Sequence, residues 1–209
     1  MTKTLTRVYS DYVSAERAVR EVKAAGLSDS HISIVASNAD GWHKPGSGDV
    51  DPKHDKDRDG KDDRAEGAAT GGGLGAIAGG AAGVAAGLGL LAIPGVGPVV
   101  AFGWLAALAT GAVAGGATGG IIGALVESGT SKENAELYVE SLRRGGAIVT
   151  AKIPDAEEAR YAAIMDLSAI DVTQRAAAYR SSGWMGYDPT APAYDVDQVR
   201  REREAYRNL

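Results

Sequence analysis

The chain contains no cysteine, few histidines and a single phenylalanine. The absence of cysteine among its 209 residues excludes disulfide frameworks, thiolate zinc sites, thiol nucleophiles and iron–sulfur clusters. There are only three histidines. The single phenylalanine is also unusual, since a globular core usually holds more aromatic side chains. A formal net charge of -5 and a pI of about 5.2 argue against nucleic-acid binding, which usually requires a basic patch.

Charged side chains are missing from sixty consecutive residues, Gly67 to Val126. Pro94 and Pro98 divide this segment into two runs of twenty-five or more residues. Each run is long enough to cross a bilayer as a helix, which takes about 20 residues. The Pro-Gly-Val-Gly-Pro link is typical of a turn, so the segment predicts a hydrophobic helical hairpin.

Glycine recurs at every fourth residue in both runs. The positions are Gly67, Gly71, Gly75, Gly79, Gly83 and Gly87, followed by Gly111, Gly115, Gly119 and Gly123. Four residues advance a helix by about 400°, so these glycines would form a slowly winding groove where another backbone can approach closely. In water each glycine costs roughly 1 kcal/mol relative to alanine, so lipid or tight packing must compensate. A membrane hairpin, a zipper buried in protein and a disordered tract stay open as interpretations, and the length favours the first.

The residues that flank this segment indicate its orientation. The N-terminus has no apolar core of a secretory signal, so we expect both flanks to be cytoplasmic. Two spans would return the chain to its starting side. Lys61 and Arg64 precede the spans, and Arg143 and Arg144 follow them, as the positive-inside rule requires.

Residues 1–36 predict the first half of an α/β domain. A strand over Leu5 to Tyr9 precedes a helix that Ser10, Asp11 or Ser14 can cap and that Gly26 ends. The helix carries an apolar stripe of Ala15, Ala18, Val19 and Val22. A second strand, His31 to Ala36, alternates as on a sheet with one covered face.

Residues 127–180 repeat this pattern as a second half. Ser131 can cap a helix whose stripe is Ala135, Tyr138, Val139 and Leu142. A strand over Ala147 to Ile153, a helix from Pro154 to about Leu167 and a short strand at Ile170 to Val172 follow. The fold class predicted is α+β, a ferredoxin-like split βαβ sandwich interrupted by the hairpin, with two unrelated α/β fragments as the alternative. Residues 181–209 predict an exposed C-terminal arm with a terminal helix.

An acidic polar linker, residues 37–66, contains a calcium-loop pattern. The stretch DKDRDGKDDRAE fits the template D-x-D-x-D-G-x5-E at every required position. The oxygen ligands would come from Asp55, Asp57, Asp59, Lys61, Asp63 and Glu66. Asp62 stands where an aliphatic residue is usual, and the alternative is a solvated charged spacer. Calcium is therefore the one cofactor that the sequence suggests.

Three stretches together resemble the bacterial general stress proteins that have a heat-induced YflT-like domain. They are VYSDYVSAERAVREVKAAG, GLLAIPGVGPVVAFGWL and AELYVESLRRGGAIVTAKI, within a resemblance from about Thr4 to Arg180. The resemblance implies a stress-induced, non-catalytic bacterial protein. The predicted hairpin and its charged flanks give the expected location, the bacterial inner membrane with both termini cytoplasmic, with a cytoplasmic location as the alternative.

The expected function is association with a lipid bilayer or self-association through the glycine-zipper hairpin. No catalytic residue set, nucleic-acid site or small-molecule substrate is evident in the sequence. The alternative is a soluble scaffold or calcium-responsive binding protein whose hairpin is buried in protein.

Overall fold

The computed structural model describes residues 1–43, 89–93, 96–105 and 120–206. These residues form the strands β1 Thr2–Tyr9, β2 Ile32–Ser37, β3 Gly89–Ile93, β4 Gly97–Phe102 and β5 Ala147–Pro154. The helices are α1 Tyr12–Ala24, α2 Gly120–Glu127, α3 Lys132–Arg143, α4 Glu158–Asp166, α5 Val172–Ser181 and α6 Val196–Ala205. The mixture of helices with an antiparallel sheet confirms the α+β class.

The strands form one sheet in the order β1-β5-β2-β4-β3, and every neighbouring pair is antiparallel. Strand β5 lies between β1 and β2, with Ala151 opposite both Leu5 and Ile32. Strands β1 and β2 therefore run parallel to each other without pairing, and α1 connects them.

Helices cover both faces of the sheet. One buried cluster joins α2 and α3 to β4, through residues such as Leu125, Val139 and Val99. The other joins α1 and α4 to the opposite face, through residues such as Val22, Met165 and Ile153. All six residues of β2 are buried as a result, so the prediction of a sheet covered on one face was wrong.

The two helices predicted with the clearest caps are confirmed. Asp11 is the N-cap of α1 and accepts a hydrogen bond from the Ser14 amide at 2.8 Å. Ser131 caps α3 in the same way, at 3.3 Å from the Asn134 amide. These caps satisfy backbone donors that no residue within the helix can pair.

The centre of the uncharged segment is a β-hairpin, so the prediction of a helical hairpin was wrong there. Strand β3 pairs with β4, and β4 pairs with β2, with Ala36 opposite Val100. Valine and other β-branched residues favour an extended backbone in the middle of a buried sheet.

Two features of the C-terminal region also differ from the sequence prediction. Residues 170–172 do not form a strand, because Asp171 caps α5 by accepting from the Gln174 amide at 3.0 Å. The terminal helix α6 is present, but it is not on an exposed arm, since its Val199 is buried.

Because of a buried tyrosine at the end of β1, we expect the free energy of unfolding to fall at alkaline pH. Tyr9 is fully buried, its hydroxyl donates to the Met165 carbonyl at 3.0 Å, and burial raises its pKa above the ordinary value. Its contribution is complete below about pH 10, where the unfolded tyrosine is still protonated, and is lost as the pH rises towards the folded pKa. The unfolding free energy should fall by about 2 kcal/mol between pH 9 and 11.5 from this group alone.

The variant Tyr9→Phe isolates that contribution. At pH 7 it should be less stable by about 1 kcal/mol, because a buried hydrogen bond is lost. Urea denaturation at several pH values should then show this deficit disappear above pH 10 and become an advantage of about 1 kcal/mol by pH 11.5, because phenylalanine does not titrate. A deficit that stays constant from pH 7 to 11.5 would contradict the assignment.

Candidate functional site, an arginine-lined cavity

A cavity of about 400 Å³ lies where the C-terminal helix meets the body of the fold. It is enclosed by the β1–α1 junction, the end of α3, the α4–α5 loop, and helices α5 and α6. The lining residues are Ser10, Asp11, Ser141, Arg144, Gly146, Ser168, Ala169, Ile170, Arg175, Tyr179, Glu202, Arg203 and Tyr206. Three arginines and three serines make this lining strongly polar.

Arg144 is held by two carboxylates. Its Nε donates to Glu140 at 2.5 Å and its Nη1 donates to Glu202 on α6. Its guanidinium also lies 4.2 Å from the centre of the Tyr179 ring. Burial opposes the charged form, but the hydrogen bonds to Glu202 and Glu140 outweigh it and raise the pKa of Arg144.

Arg203 attaches α6 to the other side of the cavity. Its Nη1 lies 2.9 Å from Asp40, and its Nη2 donates to the Gly145 carbonyl at 2.8 Å. Gly145 has φ +98°, and a Cβ there would lie 2.3 Å from Val199 Cγ1. The helix therefore packs directly on the backbone that ends α3, and only glycine leaves space for it.

Arg175 differs from its neighbours because no carboxylate of the described residues pairs with it. Only 7% of the residue is exposed, and its Nε is enclosed without a hydrogen-bond partner. Its one hydrogen bond with the described residues is a long one of 3.4 Å, from Nη2 to the Tyr206 carbonyl. Its guanidinium lies 4.8 Å from the centre of the Tyr206 ring, which offers a partly compensating cation–π contact.

The two carboxylates of the lining are already engaged. Asp11 caps α1 and also accepts from the Ser10 hydroxyl at 3.2 Å, while Glu202 accepts from Arg144. The Ser141 hydroxyl donates to the Leu137 carbonyl at 3.0 Å. The cavity thus combines neutralised acidic groups with one buried cation, Arg175, to which the described residues offer no counter-ion.

The residues predicted for calcium lie outside the described part of the chain. These are Asp55, Asp57, Asp59, Lys61, Asp63 and Glu66, and calcium binding by them stays a prediction. In the ranges that the structure describes, no group of three or more histidine, aspartate or glutamate residues could hold a metal ion.

Most of the predicted zipper glycines also lie outside the described residues. Those are Gly67, Gly71, Gly75, Gly79, Gly83, Gly87, Gly111, Gly115 and Gly119. Gly123 is described, in α2, and apart from its chain neighbours and the nearby backbone of its own helix, no described atom comes within 4 Å of the position that its Cβ would take. No helix within residues 1–43, 89–93, 96–105 and 120–206 combines the length and apolar character needed to cross a bilayer.

The sequence prediction missed the cavity residues, although three local signals point to them. Arg144, the C-cap of α3, comes four residues after Glu140, and Arg175 and Tyr179 are four residues apart on α5, so the members of each pair are neighbours on one side of a helix. The third signal is the capping box of α6, in which Asp195 and Gln198 exchange hydrogen bonds. These signals place the residues on helix faces, but the meeting of the three helices depends on tertiary packing.

Fold and cavity together define an α+β protein with a polar, arginine-lined cavity closed by its last described helix. No family model, no curated protein and no solved structure matches the chain. The resemblance to the general stress proteins therefore stays a prediction from the sequence.

Proposed function

We propose that the chain is a non-catalytic bacterial stress protein that self-associates through its glycine-rich runs. One observation supports this function more than any other: the β3–β4 hairpin returns the chain to the end of the sheet from which it came. Gly89, at the start of β3, lies opposite Ala101, near the end of β4. The first glycine run thus enters the sheet beside the point where the second run leaves it.

The start of the second run is fixed at that end of the sheet. The Leu105 amide donates to the Ser33 hydroxyl at 2.8 Å, and Leu105 is fully buried. Two runs with a four-residue glycine period that meet the sheet at one end are suited to packing against each other or against a second copy. Their lack of charge and abundance of glycine make solvent a poor alternative partner.

Self-association is favoured over membrane crossing by the distance available. Leu105 and Gly120 are both buried in the protein body, and fourteen residues separate them. A helix of that length extends about 21 Å, which is short of the roughly 30 Å hydrocarbon core. Attachment to the inner membrane, with both termini cytoplasmic, stays a prediction that the experiment below also tests.

The fold proposed for the part of the domain around β1, β2 and β5 is ferredoxin-like. Strand β1, helix α1 and strand β2, with β5 inserted between the strands, have the connectivity of a split βαβ unit. In this proposal the β3–β4 hairpin and the helices α2 and α3, which pack on the face of the sheet opposite α1, lie outside that unit.

Replacing glycines in the middle of both runs should disrupt assembly. The double variant Gly79→Leu with Gly115→Leu adds bulk where backbones would meet, and overpacking typically costs 1 to 3 kcal/mol per site. We expect light scattering and crosslinking of the full chain to show a smaller assembly than for the unmodified protein. The matched control is Ala78→Leu with Ala114→Leu, one residue round each run, which should keep its assembly state.

Two outcomes would contradict this function. Equal assembly by both double variants would mean that the glycine period is not an interface. Flotation of the unmodified chain with vesicles of phosphatidylglycerol and phosphatidylethanolamine, unchanged by either double variant, would favour membrane attachment instead.

A further inference from the structure

We propose that the arginine-lined cavity binds a small molecule that carries a phosphate group, with Arg175 as its main contact. This site lies outside the glycine-rich runs and does not depend on the function proposed for them. The inference rests on three observations: the cavity itself, a buried cation without a counter-ion, and unused hydrogen-bond donors beside it.

The state of Arg175 indicates a missing anion. A buried charge is costly unless it is paired and hydrogen-bonded, and arginine is rarely so enclosed without a carboxylate. Nevertheless Arg175 makes one long hydrogen bond, its Nε has no partner, and the described residues offer its Nη1 no acceptor. An anion in the cavity would supply the acceptors that this guanidinium lacks.

The neighbouring groups do not neutralise Arg175. Glu140 and Glu202 form ion pairs with Arg144, and Asp40 forms one with Arg203. Asp11 is the remaining carboxylate of the lining, and its oxygens accept from the backbone and hydroxyl at the start of α1. Because carboxylates already neutralise Arg144 and Arg203, Arg175 is the arginine with which an incoming anion would pair.

A phosphate group fits this set of donors. A guanidinium can donate two parallel hydrogen bonds to a phosphate, and the additional oxygens of a tetrahedral group accept from hydroxyls. Ser168 lines the cavity, and its hydroxyl has no hydrogen bond with the described residues. The volume of about 400 Å³ lies in the range of small-molecule sites, so a phosphate ester fills it better than free phosphate does.

Thermal unfolding of the full chain tests the proposal, with inorganic phosphate, glycerol 3-phosphate and glycerol as probes at constant ionic strength. At ten times its Kd, glycerol 3-phosphate should raise Tm by about 3–6 °C, because it binds the folded state alone. Inorganic phosphate should bind more weakly, and glycerol should leave Tm unchanged.

The variant R175Q should abolish the shift and, without phosphate, should unfold at the same temperature as the unmodified protein or higher, because it removes an unpaired buried charge. The variant R175K keeps the charge but not the planar fork, and should bind at least tenfold more weakly. The matched control is R180Q on the same helix, since Arg180 is exposed and paired with Glu133, and it should retain the full response.

Three results would overturn the proposal. One is an equal phosphate response in R175Q and the unmodified chain, which means an adventitious ion only. Another is no Tm shift of the unmodified chain with either phosphate compound. The third is a shift with inorganic phosphate but not with glycerol 3-phosphate, which would reject an ester as the occupant.

Discussion

Glu140→Gln should lower the free energy of unfolding by about 3 kcal/mol, the cost of breaking a buried ion pair from one side. The Glu140 side chain is only 3% exposed and accepts from both Arg143, at 2.6 Å, and Arg144, at 2.5 Å. Glutamine has nearly the same shape but no charge, so Arg144 would keep Glu202 as its one carboxylate. Urea denaturation with unchanged m-values is the measurement, because it separates lost stability from lost compactness.

The same substitution one helical turn earlier on α3 provides the control. Glu136 lies on the same helix, is more exposed, and its Oε1 is 3.8 Å from Lys132 Nζ. Glu136→Gln should change the unfolding free energy by less than about 0.5 kcal/mol, as is usual for exposed pairs. Similar losses in the two variants would show that the Glu140 network adds no more than a surface pair does.

Gly103→Ala should destabilise the protein by about 4 kcal/mol, because it combines backbone strain with a steric clash. Gly103 follows β4 with φ +87°, a conformation that alanine adopts only at a cost. A Cβ there would lie 2.3 Å from the Ile32 carbonyl and 2.6 Å from Ser33 Oγ. That serine also accepts from the Leu105 amide, so the clash would displace β4 from β2.

Gly183→Ala separates strain from clash. Gly183 has nearly the same φ, +91°, but apart from its own atoms and those of its two chain neighbours, no atom of the described residues lies within 4 Å of the position of a Cβ. Its variant should lose about 1 kcal/mol, from strain alone. If Gly103→Ala lost no more than Gly183→Ala in urea denaturation, the contact between the β-hairpin and β2 would be looser than described.

The parts of the fold that local sequence determines were predictable. Helices α1 and α3 each have a capping side chain followed by apolar residues at helical spacing, and those stripes are the ones that are buried. Strand β5 is rich in β-branched residues and lies inside the sheet, between β1 and β2. In each case the information that decides the structure lies within about fifteen residues.

The β-hairpin was not predictable in the same way. Short apolar runs fit a buried strand as well as a buried helix, and the neighbouring glycine period favoured the helix. The segment forms strands because β4 pairs with β2, whose residues lie about sixty positions earlier in the chain. The cavity is a similar case, because Arg144, Arg175 and Arg203 come from three helices that meet through non-local packing.

The position of β5 between β1 and β2 has a consequence for how the chain folds. Among the described strands, β1 has no partner until residues 147–154 have been synthesised, since it pairs with β5 alone. A contact across so much sequence carries a high loop-closure entropy and slows folding. During translation, the uncharged segment therefore leaves the ribosome before the sheet that anchors it can close. Nascent chains are consequently most prone to aggregation in this interval, and a chaperone that holds apolar segments would act there.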